Sequence, residues 1–387
     1  LEIDYSKSAT YFSNFIKQKK YEYLSSKYTF SLRELAIIDI QRLGVHIIGN
    51  PQVPHINNGD QTLIAQYNGF SFTCAIINPT SSIKSPFTLK MSNDNYASVY
   101  YCDEPFEIIP IISILYIMDK PSLWYFPFKD EYGRDIDNCI IVNPLLKCQN
   151  SCKGCSRLSY HKNMKDGYLD NLDQIIHELS DIGIKHDNVK FINIITGSHI
   201  EIPEDFQMFM TIIERLRHEG YNKSKFGVYT SSIQTHDHLL ELKELGIEVL
   251  TFTVDTLTTK SRNSFFSYET SKRKLNLEEI IELLSKANNL FSHVNSNVLL
   301  GFDSTEVIIE SLREIKKKTK TAINHFIPRL FNIEQWELLD PTAFNLEYYV
   351  QLLDFVQNEI NQDNPNSMQS FFQKHLSIPK YKVRYRS

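Results

Sequence analysis

Three cysteines, Cys148, Cys152 and Cys155, crowd into the stretch LLKCQNSCKGCSR at residues 145–157. The chain has six cysteines in 387 residues, and none follows Cys155. Thiols at C-x3-C-x2-C spacing read as ligands for a metal centre, because a chain this long needs no disulfide framework to fold. Two centres compete. A structural zinc ion takes a closed set of four ligands, and His161 is available as the fourth. A [4Fe–4S] cluster has four irons, so three thiolates leave one iron open to a substrate or cofactor.

The bulk composition narrows the setting. Hydrophobic residues make up 42% of the chain, charged residues 22%, and the net charge is −5. These values suit a globular protein with a substantial core and give no general attraction to nucleic acid. No apolar run reaches the ~20 residues of a membrane span. FEIIPIISILYIM (106–118) is shorter and holds Glu107 and Pro110. No signal peptide is visible, and the expected setting is cytoplasmic and reducing.

The elements that must position the thiols fall into two regions. Residues 1–130 read as a strand-rich accessory or substrate-recognition domain of the α+β type. Helix patterns cover 8–24 and 31–44, and strand patterns cover 62–68, 70–77, 97–102 and 107–118. FKDEYGRDIDN (128–138) reads as a linker. Beyond it, strand patterns at 139–146, 189–195, 225–230, 248–254, 293–301 and 322–330 alternate with helix patterns at 169–183, 204–220, 236–246, 276–289 and 304–319. Such alternation implies parallel strands with right-handed crossovers. The expected fold class is α/β, a (β/α)6 partial barrel over 138–330, followed by a helical extension over 331–387 that includes a helix pattern at 345–360. Active sites of this class gather at the carboxyl ends of the strands, and the cysteine run begins where the first strand should end.

On that background CQNSCKGC resembles the CxxxCxxC motif of the radical S-adenosylmethionine (radical SAM) enzymes, over roughly residues 138–330. The resemblance implies that Cys148, Cys152 and Cys155 hold a [4Fe–4S] cluster whose open iron chelates SAM. One electron, from a flavodoxin or ferredoxin-type reductant, then cleaves SAM to methionine and a 5′-deoxyadenosyl radical that abstracts a substrate hydrogen.

The strand ends supply candidate SAM ligands, each with an ordinary structural alternative. Thr196-Gly197-Ser198 loosely resembles the family's Gly-Gly-Glu segment but lacks its acid, and also reads as a plain turn. Thr230, Ser231 and Ser232 are candidates for the SAM carboxylate or ribose, or for capping the next helix. Asp255 is the ribose candidate, with an N-cap role as the alternative. Leu299 and Gly301 align with the family's adenine-contacting segment. Arg157, His325 and Arg329 are substrate candidates. Cys74, Cys102 and Cys139 read as buried hydrophobes.

The expected reaction is hydrogen abstraction from a peptide or secondary metabolite. Arg157 after the third cysteine resembles the arginine of the lysine 2,3-aminomutase group. SIPKYKVRYRS (377–387) lacks that group's glycine-rich segment, so an aminomutase stands as one alternative. A zinc-stabilised binding protein without enzymatic activity is the other.

Overall fold

The computed structural model describes residues 17–48, 61–67, 70–77, 85–93, 96–118, 123–129, 135–144, 148–150, 152–153, 168–181, 186–195, 197–199, 201–266, 271–327 and 333–360. The chain divides into two compact units, one of residues 1–119, 300–305 and 327–357, the other of residues 120–299, 306–326 and 358–387.

The first unit opens with helix α1 (residues 17–27) and α2 (Leu32–Leu43). A capping box starts α2: the Ser31 side chain accepts the Glu34 N–H, and the Glu34 carboxylate accepts the Ser31 N–H at 2.8 Å. Gly44 ends it at φ +69°, where a side chain would meet the Ala75 carbonyl at 2.8 Å. Then come β1 (His46–Ile48), β2 (Gln61–Tyr67), β3 (Phe70–Ile76), β4 (Phe87–Asn93), β5 (Tyr96–Tyr101), β6 (Glu104–Pro105) and β7 (Ile111–Met118). They pair in the order β1-β4-β5-β7-β2-β3, with β6 on β5. A bridge from Val45 to Ile76 joins the first strand's entry to the last strand, so the sheet path closes on itself. Strand pattern 107–118 is therefore shortened: residues 106–110 form a turn ahead of β7.

One buried charge organises this unit. Asp39 accepts from the Tyr21 hydroxyl at 2.8 Å and from Arg42 Nε at 2.7 Å, and pairs with Lys17. Burial opposes its charge, but Arg42 and Lys17 outweigh that and hold its carboxyl below the usual range.

The second unit carries the parallel sheet. Strands β8 (Leu123–Lys129) and β9 (Asp135–Val142) pair antiparallel, with Leu123 opposite Val142. Expected as a linker, 128–138 instead contributes to both strands of this hairpin. There follow α3 (Tyr168–Asp181), β10 (Val189–Ile195), α4 (Ile202–His218), β11 (Lys225–Thr230), α5 (His236–Glu244), β12 (Ile247–Asp255), α6 (Thr259–Phe265), α7 (Ser271–Lys274), α8 (Leu277–Leu290), β13 (His293–Leu299), α9 (Thr305–Lys318) and β14 (Ala322–Phe326). The sheet order is β8 through β14, and every neighbour pair from β9 onward is parallel. This is the expected (β/α)6 arrangement, with β8 added as an antiparallel edge strand.

The two faces of that sheet differ in chemistry. Ile194, Val228, Leu250, Phe252 and Val298 lie on one face and are buried. The helices supply apolar stripes to match, as α8 does with Ile280, Ile281, Leu284 and Ala287. The alternate face carries Asn193 level with Gly227, Thr251 level with Asn295, and Thr253 level with Asn297. All are buried. A polar inner face is what a barrel built around a ligand requires, since a purely structural lumen fills with branched apolar side chains.

The last described elements, α10 (Ile333–Trp336), a 3-10 turn (Pro341–Phe344) and α11 (Leu346–Phe355), group with the first unit. The expected extension over 331–387 thus belongs with the N-terminal strands as far as Gln357. Tyr348 explains part of this. Its buried hydroxyl donates to the Asp303 carbonyl at 2.7 Å and accepts the Gly301 N–H at 2.8 Å. Burial pushes the phenol well above its ordinary range, so it stays protonated and able to donate. Tyr348→Phe strands both backbone groups and should cost about 1–3 kcal/mol. Urea unfolding would measure the loss, and an unchanged midpoint would contradict this role.

Candidate cofactor site at the strand ends

Cys148 follows β9 after a short connection and is held from two directions. Ser198 N–H donates to Cys148 Sγ at 3.3 Å, and Gln149 N–H donates to the Ser198 carbonyl at 2.8 Å. Further along, Lys153 N–H donates to the Phe265 carbonyl at the end of α6 at 2.9 Å. The cysteine loop is therefore docked on the end of β10 and on the helix that follows β12. Cys152 is 5% exposed. Cys155, Arg157 and His161 lie outside the described residues. Among the described residues no group of three His, Cys, Asp or Glu converges as a metal site.

The donor set fits the iron–sulfur cluster. Its thiol Cys148 already receives an amide hydrogen bond, and Asn150 sits between the two described cysteines with its side chain buried. Among the described residues, neither Asn150 Oδ1 nor Nδ2 has a hydrogen-bond partner. A buried amide without partners is destabilising by about 1–3 kcal/mol, and its presence in this loop marks a place where another group belongs.

The end of β10 is braced by residues that sequence reasoning did not single out. Thr196 lies outside the described residues, Gly197 is buried, and Ser198 makes the contacts above. His199 donates its backbone N–H to Asp205 Oδ1 at 2.8 Å, and its Nδ1 meets the same oxygen at 2.8 Å. Asp205, 1% exposed in the first turn of α4, takes the Ser232 hydroxyl on its other oxygen. The hydrogen bond to Asp205 raises the His199 ring above the ordinary histidine value despite partial burial.

At the end of β11, Thr230 Oγ1 accepts the Ser232 N–H at 3.0 Å in a local turn, and the helix-capping alternative is corrected because Thr235 caps α5. Ser231 is buried beside it.

Asp255 ends β12 at φ +61° and is buried. Thr256 N–H donates to the Val254 carbonyl at 2.9 Å, closing a three-residue turn with Asp255 at its centre. A non-glycine residue at positive φ is strained by about 1–3 kcal/mol and persists only where the surroundings enforce it. Arg262 of α6 enforces it: Nη1 donates to the Val254 carbonyl at 2.9 Å and to the Thr256 carbonyl at 2.8 Å. The guanidinium also lies over the Phe266 ring, 5.2 Å from its centroid. The N-cap alternative for Asp255 is corrected here, because Thr258 caps α6 in a capping box with Ser261. Helix α6 thus ties the Asp255 turn to the cysteine loop. Neither Arg262 nor Asp205 carried a sequence signal: one reads as a surface charge, the other as an acid at a helix start.

The remaining candidates are more scattered. Leu299 is the last residue of β13, and Gly301 has φ +106° with its N–H taken by Tyr348 in the first unit. His325 lies in β14 with its side chain outside the described set, and Arg329 is outside it entirely. On the inner sheet face Asn193 Nδ2, Thr253 Oγ1 and Asn295 Nδ2 are buried without hydrogen-bond partners among the described residues. No described helix is long and apolar enough to cross a membrane.

Comparison with known proteins gives one family and a set of distant folds. The family model described as the Radical SAM superfamily matches residues 142–315. No curated protein matches the chain. Among solved structures, coproporphyrinogen III oxidase (HemN) from Escherichia coli is 12% identical over 52% of this chain and 51% of that one, with a TM-score of 0.37. The FeFe-hydrogenase maturase HydG from Carboxydothermus hydrogenoformans is 14% identical over 55% and 51%, with a TM-score of 0.39. Streptococcus suis SuiB bound to precursor peptide SuiA is 15% identical over 52% and 40%, with a TM-score of 0.35. The chain spans about half the length of these structures or less.

Proposed function

We propose that this chain, whose residues 142–315 match the Radical SAM superfamily model, is a radical SAM enzyme that abstracts hydrogen from a peptide or secondary-metabolite substrate. When bound, a [4Fe–4S] cluster and SAM supply a one-electron cleavage whose radical product takes that hydrogen. The observation that carries the reading is the cysteine loop docked at the strand ends, with the Ser198 amide on Cys148 Sγ.

The residues divide the work. Cys148, Cys152 and Cys155 hold the cluster. Asn150, between them, offers a donor and an acceptor to the group bound beside it. Asp255, held out by Arg262, accepts from the ribose hydroxyls of SAM. Asn193, Thr253 and Asn295 present uncharged hydrogen-bonding groups inside the barrel, which suits the amides of a peptide better than a carboxylate or phosphate. A flavodoxin or ferredoxin-type protein in the cytoplasm supplies the electron.

Anaerobic reconstitution tests the reading. The chain should turn brown, bind about four Fe, and release 5′-deoxyadenosine once reduced with SAM present. A colourless protein that binds zinc and ignores SAM would favour the binding-protein alternative.

Asp255→Asn tests the ribose assignment. Asn tolerates positive φ, so the turn survives while the charge is lost. SAM affinity should fall on the order of tenfold, the worth of one charged hydrogen bond, with iron content unchanged. Unaltered SAM affinity would remove Asp255 from the site.

A further inference from the structure

The segment 197–199 belongs to no helix or strand, yet it places a backbone N–H on a ligand sulfur, Ser198 on Cys148 Sγ at 3.3 Å. Its position is set next door. His199 follows Ser198 directly, and both its backbone N–H and its ring are fastened to Asp205 Oδ1 at 2.8 Å. Asp205 is fastened in turn by Ser232, beyond the end of β11. The carboxylate therefore spans two neighbouring strand ends.

We propose that Asp205 is a positioning residue that, through His199, holds the Ser198 amide on Cys148 Sγ and so sets how readily the cluster is reduced. This rests on the radical SAM reading above.

Three physical points support it. A buried carboxylate is retained only where its oxygens are matched by donors, and here the donors come from the loop and strand end that need fixing. Asp205 lies in the first turn of α4, where the helix dipole favours negative charge, and no side chain caps that helix. Ser198 also receives Gln149 N–H at 2.8 Å, so the loop clasps residues 148 and 149 from one side. A shift of His199 moves both bonds of the clasp together.

Hydrogen bonds to cluster sulfurs are among the determinants of cluster potential. An N–H donor stabilises the more negative, reduced state, so losing one lowers the midpoint potential. A bond that only shaped the loop would leave the potential alone.

The experiment uses the reconstituted full chain with Asp205→Ala, Asp205→Asn, Ser232→Ala and the neighbouring Glu204→Gln as a control. Midpoint potentials come from redox titration followed by electron paramagnetic resonance. Hydrogen-exchange mass spectrometry follows the peptide containing Ser198. Asp205→Ala should shift the reduced-to-oxidised ratio about tenfold toward oxidised, a fall of about 59 mV for one electron. Exchange at Ser198 should quicken about tenfold, the worth of one net hydrogen bond. Asp205→Asn, which keeps an acceptor for His199, and Ser232→Ala should move both readouts the same way by less. Ser232→Ala carries the test if Asp205→Ala does not fold. Glu204→Gln should change neither.

Faster exchange with an unshifted potential would overturn the proposal, as would unchanged exchange in Asp205→Ala. If the wild-type chain takes up no iron, the parent reading fails. Exchange in the metal-free chain then decides separately whether Asp205 holds the Ser198 amide.

Discussion

Cys152→Ala is expected to come out of anaerobic reconstitution colourless, with little bound iron and no SAM cleavage. Cys152 is buried in a loop whose flanks are pinned, Gln149 to Ser198 and Lys153 to Phe265. A replacement ligand would have to arrive in the same pinned geometry. Of the cysteines outside the loop, Cys74 in β3 and Cys102 in the turn after β5 belong to the other compact unit, and Cys139 lies within β9, paired with Phe126 and Phe191. Two thiolates leave a second iron without a protein ligand, and the chelate that holds the cluster is broken. The fold itself should persist, because the loop's docking bonds are backbone bonds that alanine keeps. The measurements are iron content, visible absorbance, 5′-deoxyadenosine release and far-ultraviolet circular dichroism. Full iron content and normal turnover in Cys152→Ala would sink the assignment of this loop.

Arg262→Leu should be the most damaging single change outside the cysteines. The guanidinium is 3% exposed, and one nitrogen serves both carbonyls that flank Asp255. Leucine leaves the Thr256 carbonyl without this donor, at about 1–3 kcal/mol, while the Val254 carbonyl keeps the Thr256 N–H. It also removes what holds Asp255 at φ +61°. The turn should relax toward ordinary φ, swinging the carboxylate away from its place at the strand end. Two effects are expected together: a lowered urea midpoint and a loss of SAM affinity at least as large as in Asp255→Asn. Arg262→Lys should rescue only part of either, since an ammonium cannot reproduce the planar donor spread of a guanidinium. Wild-type stability in Arg262→Leu would show that the turn is held by something else.

Much of the second unit was legible from residue pattern. The segments expected as strands at 189–195 and 225–230 are β10 and β11 residue for residue, and α8 and α9 start and stop within one residue of their patterns. Continuous apolar runs bounded by turn residues mark parallel strands because both faces are covered, and helices announce themselves by a 3.6-residue apolar stripe. Neither signal depends on what lies elsewhere in the chain. The cysteine spacing is local in the same sense.

The pairings were not legible. FKDEYGRDIDN (128–138) reads as a linker because it is rich in charge, yet Lys129 pairs with Asp135 across the β8–β9 ladder. The Val45–Ile76 bridge joins residues far apart in sequence, and nothing in either segment names the other. The return of residues 333–357 to the first unit runs through Lys27 to Glu347, Thr29 to Asp354 and Arg42 to the Phe344 carbonyl, contacts across more than three hundred positions.

The chain's residue order alone determined which segments become helices or strands and which thiols stand close enough to share a metal centre. Both are set within a few residues of backbone, by apolar periodicity and by covalent reach. Only the folded chain decided that Asp205 fastens His199, that Arg262 holds Asp255 in a strained turn, and that the Ser198 amide reaches Cys148. Those contacts depend on strand register and helix docking, which place partners from separate segments within hydrogen-bond distance. Such distances are properties of the packed whole, and no local pattern records them.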